Sequence, residues 1–238
     1  MEKLKDALIE GVFINEIKNR FLCRVYINKE VYECYIPSSA RLENYINLKN
    51  KRILLTVNKG RETRTKYSLF AVKHRNKYII LNLHYANKLF ELKLGEGQYE
   101  EYSIPGVCKR EATIENYRAD FLYEGSGKII IENKSIVSIK KETLFPAAHS
   151  HRGIDQLKKL YVLLGKGYKV NYNIISLSPF VKMVRLNSDL PEFYENFLKC
   201  IKNGMQVYGY CLYLEGEDMK IKSKKIKIVI ENEKSFDS

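Results

Sequence analysis

The 238-residue sequence contains no apolar run close to the ~18 residues that a membrane helix needs. Its first residues, M-E-K-L-K-D-A-L, mix charges and have no apolar core, so we expect no signal peptide. Five cysteines are scattered along the chain: Cys23, Cys34, Cys108, Cys200 and Cys211. They form no C-x-x-C pair, which is typical of reduced thiols and disfavours a structural zinc site. These absences indicate a cytoplasmic protein without a membrane partner.

The motifs of nucleotide cofactors and of serine hydrolases are also missing. Neither G-x-x-x-x-G-K-[ST] nor G-x-G-x-x-G occurs, so we expect no small-molecule nucleotide cofactor. The glycines of L-L-G-K-G-Y, residues 163–168, are those of a helix end before a strand. No G-x-S-x-G elbow is present either.

Acidic residues are scarce in one segment of a chain whose net charge is +13. Between Asn47 and Lys77, Glu62 stands against ten Lys and Arg residues. The ten are Lys49, Lys51, Arg52, Lys59, Arg61, Arg64, Lys66, Lys73, Arg75 and Lys77. Aromatic rings lie among them, which is typical of a nucleic-acid-binding surface. We predict DNA and/or RNA as the partner, with contacts from Arg52, Arg61, Arg64 and Lys66. Surface lysines of a basic proteome are the alternative explanation of the charge, and an acidic protein partner is a weaker one.

Residues 1–81 alternate as short strands and contain no long helical pattern. The run from Phe13 to Ile27 and the run E-V-Y-E-C-Y-I predict a hairpin that turns at Asn28 and Lys29. A second hairpin is predicted around Asn58 to Gly60, and K-Y-I-I-L ends the set. Five short strands in about 80 residues favour a small oligonucleotide-binding-like β-barrel, with an open sandwich-like sheet as the alternative.

Residues 82–238 form the second predicted domain, because the apolar spacing there becomes helical and then alternates. The predicted order is α-β-β-β-α-β-α-β, an α/β arrangement. We expect helices at Asn82 to Leu94, capped by Asn82, and at Gly153 to Leu164. A third should run to Lys202 with Asp189 as its cap. The lysine-isoleucine tail from Met219 predicts one edge strand with a positive outer face.

Three charged residues occur where buried strands are expected. Asp120 lies in the first strand of a predicted hairpin around Gly125-Ser126-Gly127, and Glu132 and Lys134 lie in the second. Side chains at even positions share one face of a strand, so Glu132 and Lys134 should be neighbours. The hairpin can bring Asp120 to them. Two buried carboxylates need a counter-charge, and hard oxygen ligands suit Mg²⁺ or Mn²⁺. A structural Lys-Glu pair facing solvent is the simpler alternative.

The strand order and this D…E-x-K spacing resemble the restriction-endonuclease-like nuclease core. More closely, the chain resembles the sugar fermentation stimulation protein (SfsA) family. The resemblance is carried by R-F-L-C-R-V, I-P-S-S-A-R-L, N-L-H-Y-A-N-K-L, K-R-E-A-T-I-E-N-Y-R-A-D-F, I-E-N-K-S and F-P-A-A-H-S-H-R-G. It implies an N-terminal oligonucleotide-binding barrel, a C-terminal nuclease-like domain, DNA binding and a role in regulating sugar-utilisation genes.

The family pattern also points to further site residues. Glu111, which belongs to its R-E pair, is a candidate catalytic residue, with a structural Arg-Glu pair as the alternative. Arg41, which follows the position of its glycine, is a candidate phosphate contact. Gln156 replaces a histidine and can face the site, while Arg152 can hold a phosphate at a helix N-terminus. Ala147 replaces an aspartate, so we leave open whether the protein is an enzyme.

Several departures from the family pattern remain. Ser38 and Ala40 replace an asparagine and a glycine, and Asn133 replaces a valine. We expect Asn133 to matter least, because it points away from Glu132 and Lys134. Two functions stay open at this point: a Mg²⁺- or Mn²⁺-dependent nuclease with Asp120 and Glu132 as metal ligands, or a non-enzymatic DNA-binding regulator. The oligomeric state is not determined by the sequence.

Overall fold

The computed structural model describes residues 8–17, 21–37, 46–58, 64–102, 106–125, 127–216 and 219–231. Its N-terminal strands are β1 (Leu8–Glu16), β2 (Leu22–Ile27), β3 (Glu30–Tyr35), β4 (Arg52–Val57), β5 (Tyr67–His74) and β6 (Lys77–Ile80). The predicted contacts Arg41 and Arg61, and the tip of the second hairpin, lie outside the described residues. No helix in the described part of the chain is long and apolar enough to cross a membrane.

The first hairpin is confirmed. Ile27 pairs with Glu30 across a two-residue turn, in which Asn28 and Lys29 both have positive φ, 47° and 71°. Two left-handed residues in sequence match the twist of the flanking strands. The single strand predicted from Phe13 to Ile27 is wrong, because the chain reverses inside it. It contributes to both β1 and β2, which pair antiparallel.

The six N-terminal strands form one sheet in the order β3-β2-β1-β4-β5-β6, and β3 also pairs in parallel with β5. Their alternating apolar side chains fill a core that includes Phe13, Val25, Ile53 and Leu69. Leu54 and Leu55 face different clusters because neighbouring side chains of a strand point to opposite faces of the sheet. The sheet therefore buries residues on both of its faces.

The described residues of the C-terminal part form three α-helices: α1 (Tyr85–Gly95), α2 (His151–Gly165) and α3 (Pro191–Lys202). Its strands are β7 (Val107–Arg110), β8 (Thr113–Ile114), β9 (Tyr117–Arg118), β10 (Phe121–Glu124), β11 (Lys128–Ile136), β12 (Glu142–Phe145), β13 (Lys169–Ser176), β14 (Met183–Leu186), β15 (Gln206–Glu215), β16 (Lys220–Lys225) and β17 (Lys227–Val229). A mixed sheet has the order β16-β15-β13-β11-β10-β7, in which β11, β13 and β15 are parallel.

This sheet is covered on both faces. Even-numbered residues of β11, such as Ile130, pack with α2 and α3 in one apolar cluster. Odd-numbered residues, such as Ile131, pack with α1 in another cluster that also contains Phe70 of the N-terminal domain. The amide of Ile80 donates to the carbonyl of Leu177 at 3.0 Å, so the described parts of both domains share a core. The predicted boundary at residues 81 and 82 falls between β6 and α1.

Both predicted caps are wrong. The α1 helix begins after His84, and the Asn82 side chain accepts from the His84 amide at 3.2 Å instead. The α3 helix begins after Leu190, and Asp189 donates its amide to Asn187 Oδ1. In both places the residue lies in the turn that leads to the helix. The end of α3 at Asn203 is as predicted.

The α2 helix is longer than predicted at its start. The helix begins at His151, two residues before the predicted first residue, and the Ser150 hydroxyl caps it by accepting from the amide of Gly153. The helical spacing predicts an apolar face made of Ile154, Leu157, Leu160, Tyr161 and Leu164. Tyr161 is exposed, however, and Leu163 is buried on that face instead.

The C-terminal tail forms two strands in two sheets, which corrects the single predicted edge strand. Strand β16 pairs antiparallel with β15 at the edge of the large sheet. Ile226 is then buried, and β17 joins a small parallel sheet with β14 and β12 that the sequence pattern did not predict. Gly209 permits the crossing, because a Cβ atom there would lie 2.6 Å from the Ile226 carbonyl oxygen.

Candidate functional site

Glu132 and Lys134 lie side by side on the face of β11 that turns toward α2. Lys134 Nζ is 2.5 Å from Glu132 Oε1, and the glutamate side chain is only 2 % exposed. The alternation of the strand therefore places this pair as predicted. The solvent-facing alternative is wrong for Glu132, because the helices cover that face of the sheet.

Two further side chains hold the buried carboxylate. The Tyr117 hydroxyl donates to Glu132 Oε2 at 2.5 Å, and Gln156 Nε2 donates to Oε1 at 3.2 Å. Gln156 Oε1 also accepts from Lys134 Nζ at 2.7 Å. Helix α2 thus supplies an amide that bridges both members of the ion pair. Tyr117 was missed by sequence reasoning, because only the short β8–β9 hairpin folds it back under Glu132.

Burial sets the protonation behaviour of this cluster. It raises the pKa of the Glu132 carboxyl, and the nearby Asp120 raises it further, while Lys134 and the hydrogen bonds act in the opposite direction. Burial and the charge of Glu132 also raise the pKa of Tyr117 far above its ordinary value. Tyr117 consequently remains a hydrogen-bond donor over the whole physiological pH range.

Asp120 borders the pair from the neighbouring strand. The prediction that Asp120 lies inside a strand is wrong. Asp120 directly precedes β10, because pairing with β11 begins at Phe121 and Ile131. This register puts Asp120 next to Glu132. Asp120 Oδ1 accepts from Asn87 Nδ2 at 2.9 Å, and Oδ2 accepts from the Asn133 amide at 2.8 Å.

The opposite face of β11 carries a row of side-chain amides. Asn133 Nδ2 donates to Asn87 Oδ1 at 3.0 Å, and Asn173 Nδ2 donates to Asn133 Oδ1 at 2.9 Å. Asn173 is fully buried. Asn133 does point away from Glu132, as expected, but the expectation that it matters least is wrong in structural terms. It links the α1 helix, β11 and β13, and its backbone amide holds Asp120.

Most of the predicted site residues line one cavity of about 290 Å³. They are Asp120, Glu132, Lys134, Glu111, Gln156 and Arg152. Glu111 forms an ion pair with Arg118 at the rim, and Arg110 forms one with Glu91. Arg152 lies in the first turn of α2. A second cavity of about 550 Å³ lies on the amide side and shares Asp120 and Asn133 with the first.

The predicted contacts of the N-terminal domain lie elsewhere. Arg64 lines a cavity of about 570 Å³ together with Phe21 and Tyr35. Lys66 Nζ lies over the Tyr67 ring at 5.3 Å from its centroid. Arg52 is exposed at the start of β4. The structure therefore separates these basic residues from Arg152 and does not collect them into one pocket.

The donor set of the cavity that contains Asp120 and Glu132 fits a hard divalent cation. Asp120 and Glu132 offer carboxylate oxygens, and the contacts described for Asp120 come from neutral donors, so its charge is not balanced there. Within the described residues, no group of three or more His, Cys, Asp or Glu side chains could hold an ion alone. Mg²⁺ and Mn²⁺ keep several waters and need few protein ligands, so two carboxylates are a sufficient set.

The described residues form an N-terminal β domain of six strands, followed by a C-terminal domain in which helices cover both faces of a mixed sheet. This two-domain architecture defines the class of protein. A model described as "SfsA N-terminal OB domain" matches residues 17–81, and one described as "Sugar fermentation stimulation protein RE domain" matches residues 84–218. The chain belongs to the sugar fermentation stimulation protein family. The OB assignment confirms the predicted class of the N-terminal domain.

Several known proteins are similar along most of the chain. A sugar fermentation stimulation protein homolog of Pelagibacter ubique is 29% identical over 228 residues, which cover 94% of this chain and 97% of the relative. One from Natranaerobius thermophilus is 31% identical over 69% of this chain and 70% of its own. The solved structure of Pyrococcus furiosus SfsA in complex with Ca²⁺ has a TM-score of 0.80 at 23% identity, covering 94% of this chain and 96% of that one. That likeness establishes the fold.

Proposed function

We propose that this protein binds nucleic acid and hydrolyses phosphodiester bonds at the cavity that contains Asp120, Glu132 and Lys134, with Mg²⁺ or Mn²⁺ as its cofactor. The buried Glu132–Lys134 pair beside Asp120 is the observation that carries the proposal. Two carboxylates and one ammonium lie at one cavity, and the nearest donors of Asp120 are neutral. This leaves a negative charge that a divalent ion would balance.

The OB domain supports the nucleic-acid part of the proposal, since such domains bind oligonucleotides and oligosaccharides. We infer that the parallel pairing of β3 with β5 closes the N-terminal sheet into a small barrel. The chain charge of +13 favours the polyanion among these ligands. The SfsA relative solved with Ca²⁺ supports a divalent-ion site in this family fold.

Each residue has a distinct task in this proposal. Asp120 and Glu132 would hold the ion, which polarises a phosphoryl oxygen and lowers the pKa of a bound water. Lys134 is held between Glu132 and Gln156. Its remaining hydrogen can be donated to the attacking water or to the charge that develops on the phosphate. Arg152, in the first turn of α2, adds a positive charge at a helix N-terminus where a phosphate is favoured.

The direct test is cleavage of labelled single- and double-stranded DNA and RNA in the presence of Mn²⁺ and in EDTA. We expect Glu132→Gln to reduce the rate by at least ~100-fold, because it weakens the ion site and disturbs Lys134. Glu195→Gln is the matched control, as Glu195 is exposed on α3. Equal cleavage by both variants, or cleavage that EDTA leaves unchanged, would contradict the proposal.

A second function keeps the binding and drops the chemistry: a non-enzymatic nucleic-acid-binding regulator, for example of sugar-utilisation genes. Ala147 favours it, because this exposed residue carries no acid where the family pattern has one. Gln156 favours it too, since both ends of its amide are already bonded to the ion pair. Binding with a steep salt dependence but no cleavage in Mn²⁺ would support this second function.

A further inference from the structure

The loop after β13 forms a contact between the two domains. Phe180 in this loop meets the ring of His74 from β5 edge-on, with ring centroids 5.2 Å apart. The guanidinium of Arg75 lies 6.0 Å from the centre of the same Phe180 ring. The hairpin between β5 and β6 therefore contacts the loop of the C-terminal domain.

Cations from both domains surround this contact. Lys51 Nζ lies 3.3 Å from His74 Nδ1 on the N-terminal side. On the other side, Lys224 Nζ lies 3.4 Å from the Pro179 carbonyl oxygen and 4.9 Å from the centre of the Tyr213 ring. Lys77 pairs with His74 across the β5–β6 turn, and Lys182 follows Phe180 by two residues. We call Lys51, His74, Arg75, Lys77, Lys182 and Lys224 the basic seam.

The positive charge of the basic seam is not balanced by neighbouring acids. Over the described ranges, none of its lysines or its arginine forms an ion pair with a carboxylate, although other Lys and Arg residues do. Burial lowers the pKa of Lys224, and the neighbouring Lys182 and Lys77 lower it further, whereas Cys211 raises it. Burial, Lys51 and Arg75 lower the pKa of His74. These groups repel each other in the free protein.

We infer that the basic seam binds the phosphodiester backbone of a nucleic-acid strand and carries it across both domains. A row of cations on two domains fits a linear polyanion better than a single small anion. Arg75, Lys77 and Lys182 are exposed, so a strand can reach them. Each phosphate placed on the seam would relieve repulsion and release counter-ions. The inference rests on the nucleic-acid part of the proposed function and does not depend on catalysis.

The test compares two double variants of the full-length protein, each of which loses two positive charges. Arg75→Gln/Lys182→Gln removes one cation of the basic seam from each domain. Lys159→Gln/Lys202→Gln removes two exposed lysines of α2 and α3 that form no described ion pair. Fluorescence anisotropy with labelled 30-mers, single- and double-stranded, gives the Kd of each protein between 50 and 300 mM salt.

We expect the seam variant to bind about tenfold more weakly near 150 mM salt, with a slope of log K against log salt that is shallower by ~1–2. The control variant should match the unmodified protein within about twofold. If both variants change the Kd equally, the inference about the basic seam is overturned, while nucleic-acid binding by the protein still stands. Absence of binding by the unmodified protein would overturn the proposed function itself. Labelled poly-glutamate serves as a second probe. If the seam variant loses affinity for it as strongly as for the 30-mers, the basic seam is a general site for acidic partners and the inference of a nucleic-acid site is overturned.

Discussion

Strand β11 turns Glu132 and Lys134 toward α2 and turns Asn133 toward α1, so two polar clusters lie on opposite faces of one strand. The α2 face balances a buried charge with another charge. The α1 face joins neutral amides in a row from Asn87 to Asn173. Charge pairs depend on protonation and on the partner, whereas amide rows depend on hydrogen-bond geometry alone. Asp120 lies where the two clusters meet.

Removing the positive charge of the α2 face should have the largest effect on stability. Lys134→Met leaves the carboxylate of Glu132 buried without its counter-charge, and we expect a loss of about 3 kcal/mol in the free energy of unfolding at pH 7. Urea denaturation measures this loss. In the double variant Glu132→Gln/Lys134→Met most of it should return, because no charge then remains buried. A double variant as unstable as the single one would show that packing, and not charge, dominates.

The same variant should respond to pH in a defined direction. Burial raises the pKa of Glu132 in the folded protein, so the folded state binds this proton more tightly than the unfolded state does. Stability from this group is complete below the unfolded pKa of ~4.3 and is lost as the pH rises through the folded pKa. Without Lys134 the folded pKa rises further, so the free energy of unfolding should fall more steeply with pH than in the unmodified protein.

Breaking the amide row on the α1 face should have a smaller and pH-independent effect. Asn133→Val leaves the buried Asn173 Nδ2 without its acceptor, and we expect a loss of ~1–3 kcal/mol. In the double variant Asn133→Val/Asn173→Val the buried pair is replaced by apolar groups, so part of the stability should return. Urea denaturation at pH 5 and pH 8 checks both points. A strong pH dependence would contradict the neutral character of this face.

The sequence predicts much of this fold because its signals are local. The Asn28-Lys29 turn and the end of α3 depend on residues that are adjacent in the chain. The short parallel sheet of β12, β14 and β17 escapes prediction, since its strands are three or four residues long and pair across long separations. The tail from Met219 alternates like one strand, yet Gly209 and the burial of Ile226 divide it between two sheets.

The candidate site was predictable to a similar extent. Strand alternation is enough to place Glu132 beside Lys134, and the hairpin is enough to bring Asp120 close. The roles of Tyr117 and Asn133 depend on contacts with other elements, which no local pattern contains. Asn133 in particular faces away from the charges, so a local pattern assigns it no role, although the opposite face of a central strand is buried as well.

The smallest expected effect, and the one that joins the two faces, concerns Asn87 in α1. Its side chain donates to Asp120 Oδ1, while the backbone amide of Asn133 holds Oδ2 independently. Asn87→Ala should therefore cost about 1 kcal/mol of stability and weaken Mn²⁺ binding by ~10-fold, because Asp120 keeps only one of its two described donors. Mn²⁺-induced thermal stabilisation measures the change in affinity, with Leu92→Ala, at an exposed position of α1 outside both cavities, as the control. If Asn87→Ala binds Mn²⁺ like the control, the amide row supports the fold and has no part in orienting Asp120.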